Sequence, residues 1–317
     1  MLAAPMISPP YSAEYALIAM TPSVDPASLD PVDELLQRSG VVVAEQYRVA
    51  VPRSLADRRR VVRYRISGVR PESLRAALAG LSADHAIDVV LLPREVRQQR
   101  YRLAVFDMDS TLIQCEVIDE LAKHAGLGSE VAAITERAMA GELDFNSSYV
   151  ERLALLAGLE QRVIEQVADA LQATEGIREL ALTLRARGVH TAILSGGFIP
   201  FAEHLQAHFG FDSIFANTLE VKNGRLTGRP REPLVDGAAK QRMMLTLAQK
   251  LGVGLEQVIA VGDGANDIPM LTTAGLGVAF AAKPSVRRQI PTRIDHVGLD
   301  GVLYLLGSEG EWQEPDR

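Results

Sequence analysis

An apolar run, Leu103-Ala-Val-Phe106, ends abruptly in two carboxylates, Asp107 and Asp109. A short aliphatic run without alternation suits a strand covered on both faces, so the pattern predicts a buried strand over Arg102 to Phe106. Residues two apart on extended chain project to the same side. Asp107 and Asp109 can then face one small volume at the carboxyl end of the strand, where open α/β sheets hold ligands. Two like charges that close are unfavourable unless a cation lies between them or one keeps its proton. Both arrangements suit chemistry on a phosphate. For either aspartate alone a helix-start cap is the competing use, because such side chains satisfy free amides there.

A chain of 317 residues is long for one core and predicts about two domains. With 33 basic and 40 acidic side chains the net charge is -7, which implies no general affinity for nucleic acid or an anionic membrane. Cys115 is the only cysteine, so a disulfide within the chain is excluded, and a small buried hydrophobe is its expected role. The opening stretch MLAAPMISPPYSAEYALIAM lacks a basic region and an unbroken apolar core, and nothing later approaches the roughly 18 apolar residues of a membrane span. A soluble protein of the reducing cytoplasm is the expectation.

After the acid pair, residues 117–173 are helical in pattern, dominated by Glu, Ala, Leu and Arg. Strand and helix then alternate: strands are expected at His190–Leu194, Ser213–Ala216, Val258–Val261, Gly277–Phe280 and Asp295–Val297, which predicts a mostly parallel sheet with helices on both faces. Asn223-Gly224 marks a hairpin over residues 216–229. Ser195-Gly196-Gly197 follows a strand and is read as opening a helix, where a hydroxyl and unobstructed amides suit phosphate oxygens. Lys240 falls near the first turn of the helix that ends near Leu251, a poor place for a cation on dipole grounds. In Gly262-Asp263-Gly264-Ala265-Asn266-Asp267 a tight glycine turn can bring both acids toward the first pair, and an oxygen-only ligand set suits Mg²⁺. A calcium loop is disfavoured because no bidentate Glu follows at the required position.

Asp107-Met-Asp109-Ser-Thr111 after a hydrophobic strand resembles the first motif of the haloacid dehalogenase-like phosphohydrolases, and the longer run FDMDSTLIQCEVIDELA resembles their phosphoserine phosphatases. The resemblance covers about Tyr101 to Leu306. It implies a Rossmann-like parallel sheet with an inserted helical cap, and hydrolysis of O-phospho-L-serine through an aspartyl-phosphate, the last step of serine biosynthesis. It further implies Asp107 as nucleophile, Asp109 as general acid and base, and Ser195, Gly196, Gly197, Lys240 and Asn266 on the phosphate. Asp107, Asp263 and the Asp109 carbonyl would hold Mg²⁺, with Asp267 supporting and contacting Lys240. Glu116 and Arg152 match positions that bind the substrate's ammonium and carboxylate, and Met139 and Phe145 match apolar residues that cover it. Two alternatives stay open: a related phosphatase or phosphotransferase with another small amino-acid-like substrate, and an amino-acid sensor on a degraded phosphatase scaffold.

Ahead of this region, residues 1–94 read as strand (Tyr15–Met20), helix (Ala27–Arg38), strands (Val41–Val51, Val61–Val69), helix (Pro71–Leu81) and strand (Ala86–Leu92). That βαββαβ order is the ferredoxin-like split motif and resembles an ACT-type regulatory domain. The resemblance implies a homodimer and an amino acid, serine among the candidates, as ligand. Residues 95–101 read as a linker to the domain at 102–317.

Overall fold

In the computed structural model the described residues are 14–68, 70–139 and 142–307, the side chains of 138 and 139 excepted. The chain forms two compact units, one made of residues 1–100 with 291–317 and the other of residues 101–290.

The first unit begins β1 (Tyr15–Thr21), α1 (Asp30–Arg38), β2 (Val42–Arg48), β3 (Arg60–Ser67), α2 (Pro71–His85), β4 (Asp88–Pro93) and α3 (Arg94–Gln98). Its sheet is antiparallel in the order β2-β3-β1-β4, the ferredoxin-like arrangement. Alternation builds the core. Val62, Tyr64 and Ile66 face α2, whose Leu74, Leu78 and Leu81 recur at helical spacing, while Arg63 and Arg65 between them take the other face. Val69, the expected end of the third strand, lies outside the described residues, as does the frayed terminus expected up to Ser12. The stretch read as a linker begins in the short helix α3.

The second unit opens with β5 (Leu103–Phe106), every residue of it without exposed surface, which is why its sequence shows no alternation. Four helices follow: α4 (Val117–His124), α5 (Gly128–Met139), α6 (Phe145–Leu155) and α7 (Arg162–Ala170). The chain leaves and re-enters the core side by side: the Gln114 amide donates to Gln172 O at 3.0 Å and the Thr174 amide to Leu112 O at 2.9 Å. Such a two-stranded neck is how an inserted cap joins a core. Then come α8 (Ile177–Ala186), β6 (His190–Phe198), α9 (Ile199–Phe209), β7 (Ser213–Asn217), β8 (Val221–Lys222), β9 (Arg225–Leu226), α10 (Gly237–Leu251), β10 (Val258–Gly262), α11 (Ile268–Thr273), β11 (Leu276–Phe280) and α12 (Pro284–Arg287). The strands run parallel in the order β11-β10-β5-β6-β7. With β5 in the middle, the ends of β10, β5 and β6 are neighbours, and they carry Asp263, Asp107 and Ser195.

Four expectations need correction. Ser195-Gly196-Gly197 lies inside β6, and the helix starts only at Ile199. The pairing of β6 with β7 is irregular between Leu194 and Phe198, so the glycine-rich segment bulges from the sheet instead of beginning a helix. The hairpin is shorter than 216–229: only β8 and β9 pair, around Asn223 and Gly224 at φ of 53° and 71°, and Asn217 ends β7 instead. The segment Asp295–Val297 is not a strand. Its amides donate to the Asp88 carboxylate at 2.7, 2.9 and 2.8 Å, an arrangement that removes them from any ladder. The segment from Pro291 onward, read as part of the second domain, belongs to the first unit with β12 (Arg293–Ile294) and α13 (Gly301–Leu305). There Asp300 takes two hydrogen bonds from the buried Arg59, at 2.8 and 3.0 Å.

Candidate active site

Where β5 stops, the chain turns sharply. The Met108 carbonyl accepts from the amides of Thr111, Leu112 and Ile113, and Ser110 adopts φ 58°. Asp107 and Asp109 are buried at the head of this turn. One Asp107 oxygen, Oδ1, accepts from the Met108 amide at 2.7 Å and lies 2.7 Å from Lys240 Nζ. Asp109 Oδ2 accepts from the Val117 amide at 3.4 Å, while its buried Oδ1 has no hydrogen-bond partner among the described residues.

Lys240 comes from the second turn of α10, whose start is capped by Asp236 accepting from the Ala239 amide. Its ammonium has no exposed surface and donates to Asp267 Oδ1 at 2.7 Å, so one cation is shared by two acids from different strands' ends. Burial acts to lower the Lys240 pKa, but Asp107 and Asp267 outweigh it and the ammonium is held above its ordinary range. Asp267 is locked at both oxygens, because its Oδ2 accepts from the Gly264 amide at 2.9 Å. A side chain on Gly262 would place its Cβ 2.5 Å from that same oxygen, so the close return of the turn requires glycine.

Asp107, Asp263 and Asp267 each offer an oxygen within 4.8 Å of the others. Burial pushes the Asp107 and Asp109 carboxyls well above the carboxylate range, and neighbouring acids add to the shift in both. Burial likewise raises Asp263, to about 6, against the opposing charge of Lys283. Buried oxygen donors whose mutual repulsion only a cation or protons can relieve, together with the orphaned Asp109 Oδ1, fit a hard divalent cation.

Ser195 is fully buried, its Oγ accepting from the Gly197 amide at 2.8 Å, which leaves the hydroxyl hydrogen to donate elsewhere. A Cβ on Gly197 would lie 2.7 Å from Met108 Cε and 3.0 Å from Asp109 Oδ2, so the bulge runs directly beside the acid pair. A Cβ on Gly196 would meet the Phe145 ring at 2.9 Å, which places this first residue of α6 over the same bulge. Asn266 sits in the turn Ala265–Asp267, with its backbone against Gly237 at the start of α10.

Glu116 and Arg152 lie farther out and are half-buried. Glu116 Oε1 accepts from Ser110 Oγ at 3.3 Å. Arg152 Nε donates to Ser148 O at 3.4 Å, and its charge is felt by Asp119, whose carboxyl is raised by burial and by Glu116 and lowered by Arg152. Asp119 thus feels the charge of both candidates. The Met139 side chain lies outside the described residues. Burial, then Asp109 and Glu120, push the half-buried Cys115 thiol up to about 12. Sequence reasoning passed over Lys283, whose ammonium is 3.5 Å from Asp263 Oδ2 and 3.8 Å from Glu116 Oε1. Its position just past the end of a core strand was the available signal.

The family model of haloacid dehalogenase-like hydrolases matches residues 104–272. Phosphoserine phosphatase of Streptomyces coelicolor is 47% identical over 246 residues, covering 78% of this chain and 60% of that protein. The chain spans 60 to 66% of the length of the first curated relatives it matches. A haloacid dehalogenase family hydrolase of Salmonella enterica superposes with a TM-score of 0.81 at 31% identity, covering 93% of this chain and 99% of that one. A probable phosphoserine phosphatase of Vibrio cholerae gives 0.74 at 35% identity, covering 92% and 86%. Acid pair, glycine bulge, buried lysine and second acid pair thus stand on a scaffold shared with these proteins, and the chain belongs to the haloacid dehalogenase-like hydrolases, related among them to the phosphoserine phosphatases.

Proposed function

We propose that the protein is a Mg²⁺-dependent phosphoserine phosphatase, converting O-phospho-L-serine and water to L-serine and phosphate. The observation that carries this is the placement of one buried cation, Lys240, against Asp107 beside a second acid, Asp109, whose Oδ1 has no partner among the described residues. Asp107 attacks phosphorus as the serine oxygen leaves, and Asp109 protonates that oxygen; Asp109 then takes a proton from the water that cleaves the aspartyl-phosphate. Lys240, the Ser195 hydroxyl and the amides of Gly196 and Gly197 hold the phosphoryl oxygens. Asp107, Asp263 and the Asp109 carbonyl would hold Mg²⁺, which when bound offsets charge on the phosphoryl group. Glu116 takes the substrate's ammonium and Arg152 its carboxylate, while Met139, Phe145 and the rest of the cap exclude water from the first step.

The first unit we assign to an ACT-like regulatory role, binding serine or another small amino acid and pairing two copies of the chain, on the support of its strand order. Among the described residues no helix is long and apolar enough to cross a membrane, in keeping with a cytoplasmic enzyme.

Phosphate release from O-phospho-L-serine, beside phosphothreonine and p-nitrophenyl phosphate, tests the reading. Strong preference for phosphoserine is expected. Equal rates on all three contradict the substrate, transfer to homoserine in place of water marks a phosphotransferase, and no activity on any ester revives the sensor.

A further inference from the structure

The turn after β11 is built in an unusual way. Ala281, a residue with a side chain, takes φ 42°, and Lys283 follows immediately ahead of Pro284 at the start of α12. Left-handed backbone at a non-glycine residue is costly and persists where the surroundings dictate it, often beside a functional site. Here the turn attaches Lys283 to Asp263 at two points. The Lys283 amide donates to the Asp263 carbonyl at 3.0 Å, and its ammonium lies 3.5 Å from Asp263 Oδ2. The other Asp263 oxygen, Oδ1, accepts from Thr111 Oγ1 at 3.4 Å. The same ammonium is 3.8 Å from Glu116 Oε1, at the residue that starts the cap. With 52% of its side chain exposed, Lys283 fills no core; it lies at the mouth of the site.

We infer that Lys283 is a positioning residue that fixes the Asp263 carboxylate for a divalent cation and steadies Glu116 beside it. This rests on the metal-dependent reading above. A carboxylate ligand rotates freely unless donors hold it, and partners of this kind commonly change metal affinity 10- to 100-fold. An ammonium so near a dication also repels it. Glu116 offsets that repulsion by drawing on the same positive charge, so orientation outweighs it. Lys283 acts through Asp263 and not on the phosphoryl group, which distinguishes it from Lys240.

Calorimetric titration of the full chain with Mg²⁺ alone, without substrate, tests the assignment on wild type, Lys283→Ala and Lys283→Arg. Lys283→Ala is expected to weaken Mg²⁺ binding about tenfold or more, Lys283→Arg to recover most of it, and added Mg²⁺ to restore turnover to Lys283→Ala. Thermal melts of the chelated proteins separate this from unfolding; if Lys283→Ala melts early, Lys283→Gln is expected to show the same loss of affinity. Unchanged Mg²⁺ affinity without the ammonium, or a kcat deficit at saturating O-phospho-L-serine that added Mg²⁺ does not relieve, overturns the assignment of Lys283 alone. Wild type that binds no Mg²⁺ overturns the metal reading on which it stands.

Discussion

Lys240 Nζ lies 2.7 Å from Asp107 Oδ1 and 2.7 Å from Asp267 Oδ1, and none of the lysine is exposed. Removing this ammonium leaves two buried acids facing each other with no cation. Lys240→Met is expected to destabilise the fold by about 3–5 kcal/mol, the cost of breaking a buried ion pair from one side. Activity should vanish with it. Chemical denaturation gives the first quantity and phosphate release the second. Because Asp267 is held, among the described residues, by Lys240 and the Gly264 amide, Lys240→Met combined with Asp267→Asn should recover part of the stability and none of the activity.

Gly197 tests the glycine bulge. An alanine there would push against Met108 Cε and Asp109 Oδ2, at 2.7 and 3.0 Å. Gly197→Ala should cost about 1–3 kcal/mol of stability by overpacking and a far larger share of turnover, since it moves Asp109, the proposed general acid. Comparing kcat with the melting temperature separates the two effects.

The acid cluster sets a pH dependence with a definite sign. A carboxyl whose folded pKa is raised binds its proton more tightly folded than unfolded, so stability falls as pH rises between the two values. For Asp263 that window runs from the ordinary carboxylate range up to about 6. The chelated protein should therefore lose stability as pH rises through this interval, and Asp263→Asn should flatten the slope there. Melting scans of both proteins in chelator check it. A steeper slope in Asp263→Asn than in wild type would contradict the account.

Asp88 makes a structural prediction away from the chemistry. Its carboxylate accepts the amides of Asp295, His296 and Val297. Asp88→Ala leaves those donors without their acceptor and should cost about 2–5 kcal/mol, as buried unsatisfied groups do. Hydrogen exchange should rise first at Asp295–Val297.

What was legible in the sequence follows physical range. β5 and β10 could be read because burial on both faces leaves an unbroken aliphatic run, and Asp107 and Asp263 mark where those runs stop. The leucine spacing of α2 and the Asn223-Gly224 turn are likewise local signals. Contacts across long separations were not readable from local pattern. Nothing near Asp88 announces that it will bind amides more than 200 positions away, at a separation of 207 to Asp295, and so Asp295–Val297 looked like another strand. The Ser195 bulge was read as a helix start because glycine suits both, and only the pairing with β7 decides between them. Lys283 was passed over because a lysine after a strand is ordinarily a solvated loop residue; its contacts with Asp263 and Glu116 exist only in the fold.

Asp107 is the proposed attacking group. The most direct test is phosphate release from O-phospho-L-serine in Mg²⁺ by wild type and by Asp107→Asn, with melting curves to show that both are folded. The amide keeps the shape of the carboxylate and removes its charge, so turnover by the folded variant should fall to background. Substantial turnover by folded Asp107→Asn would contradict it.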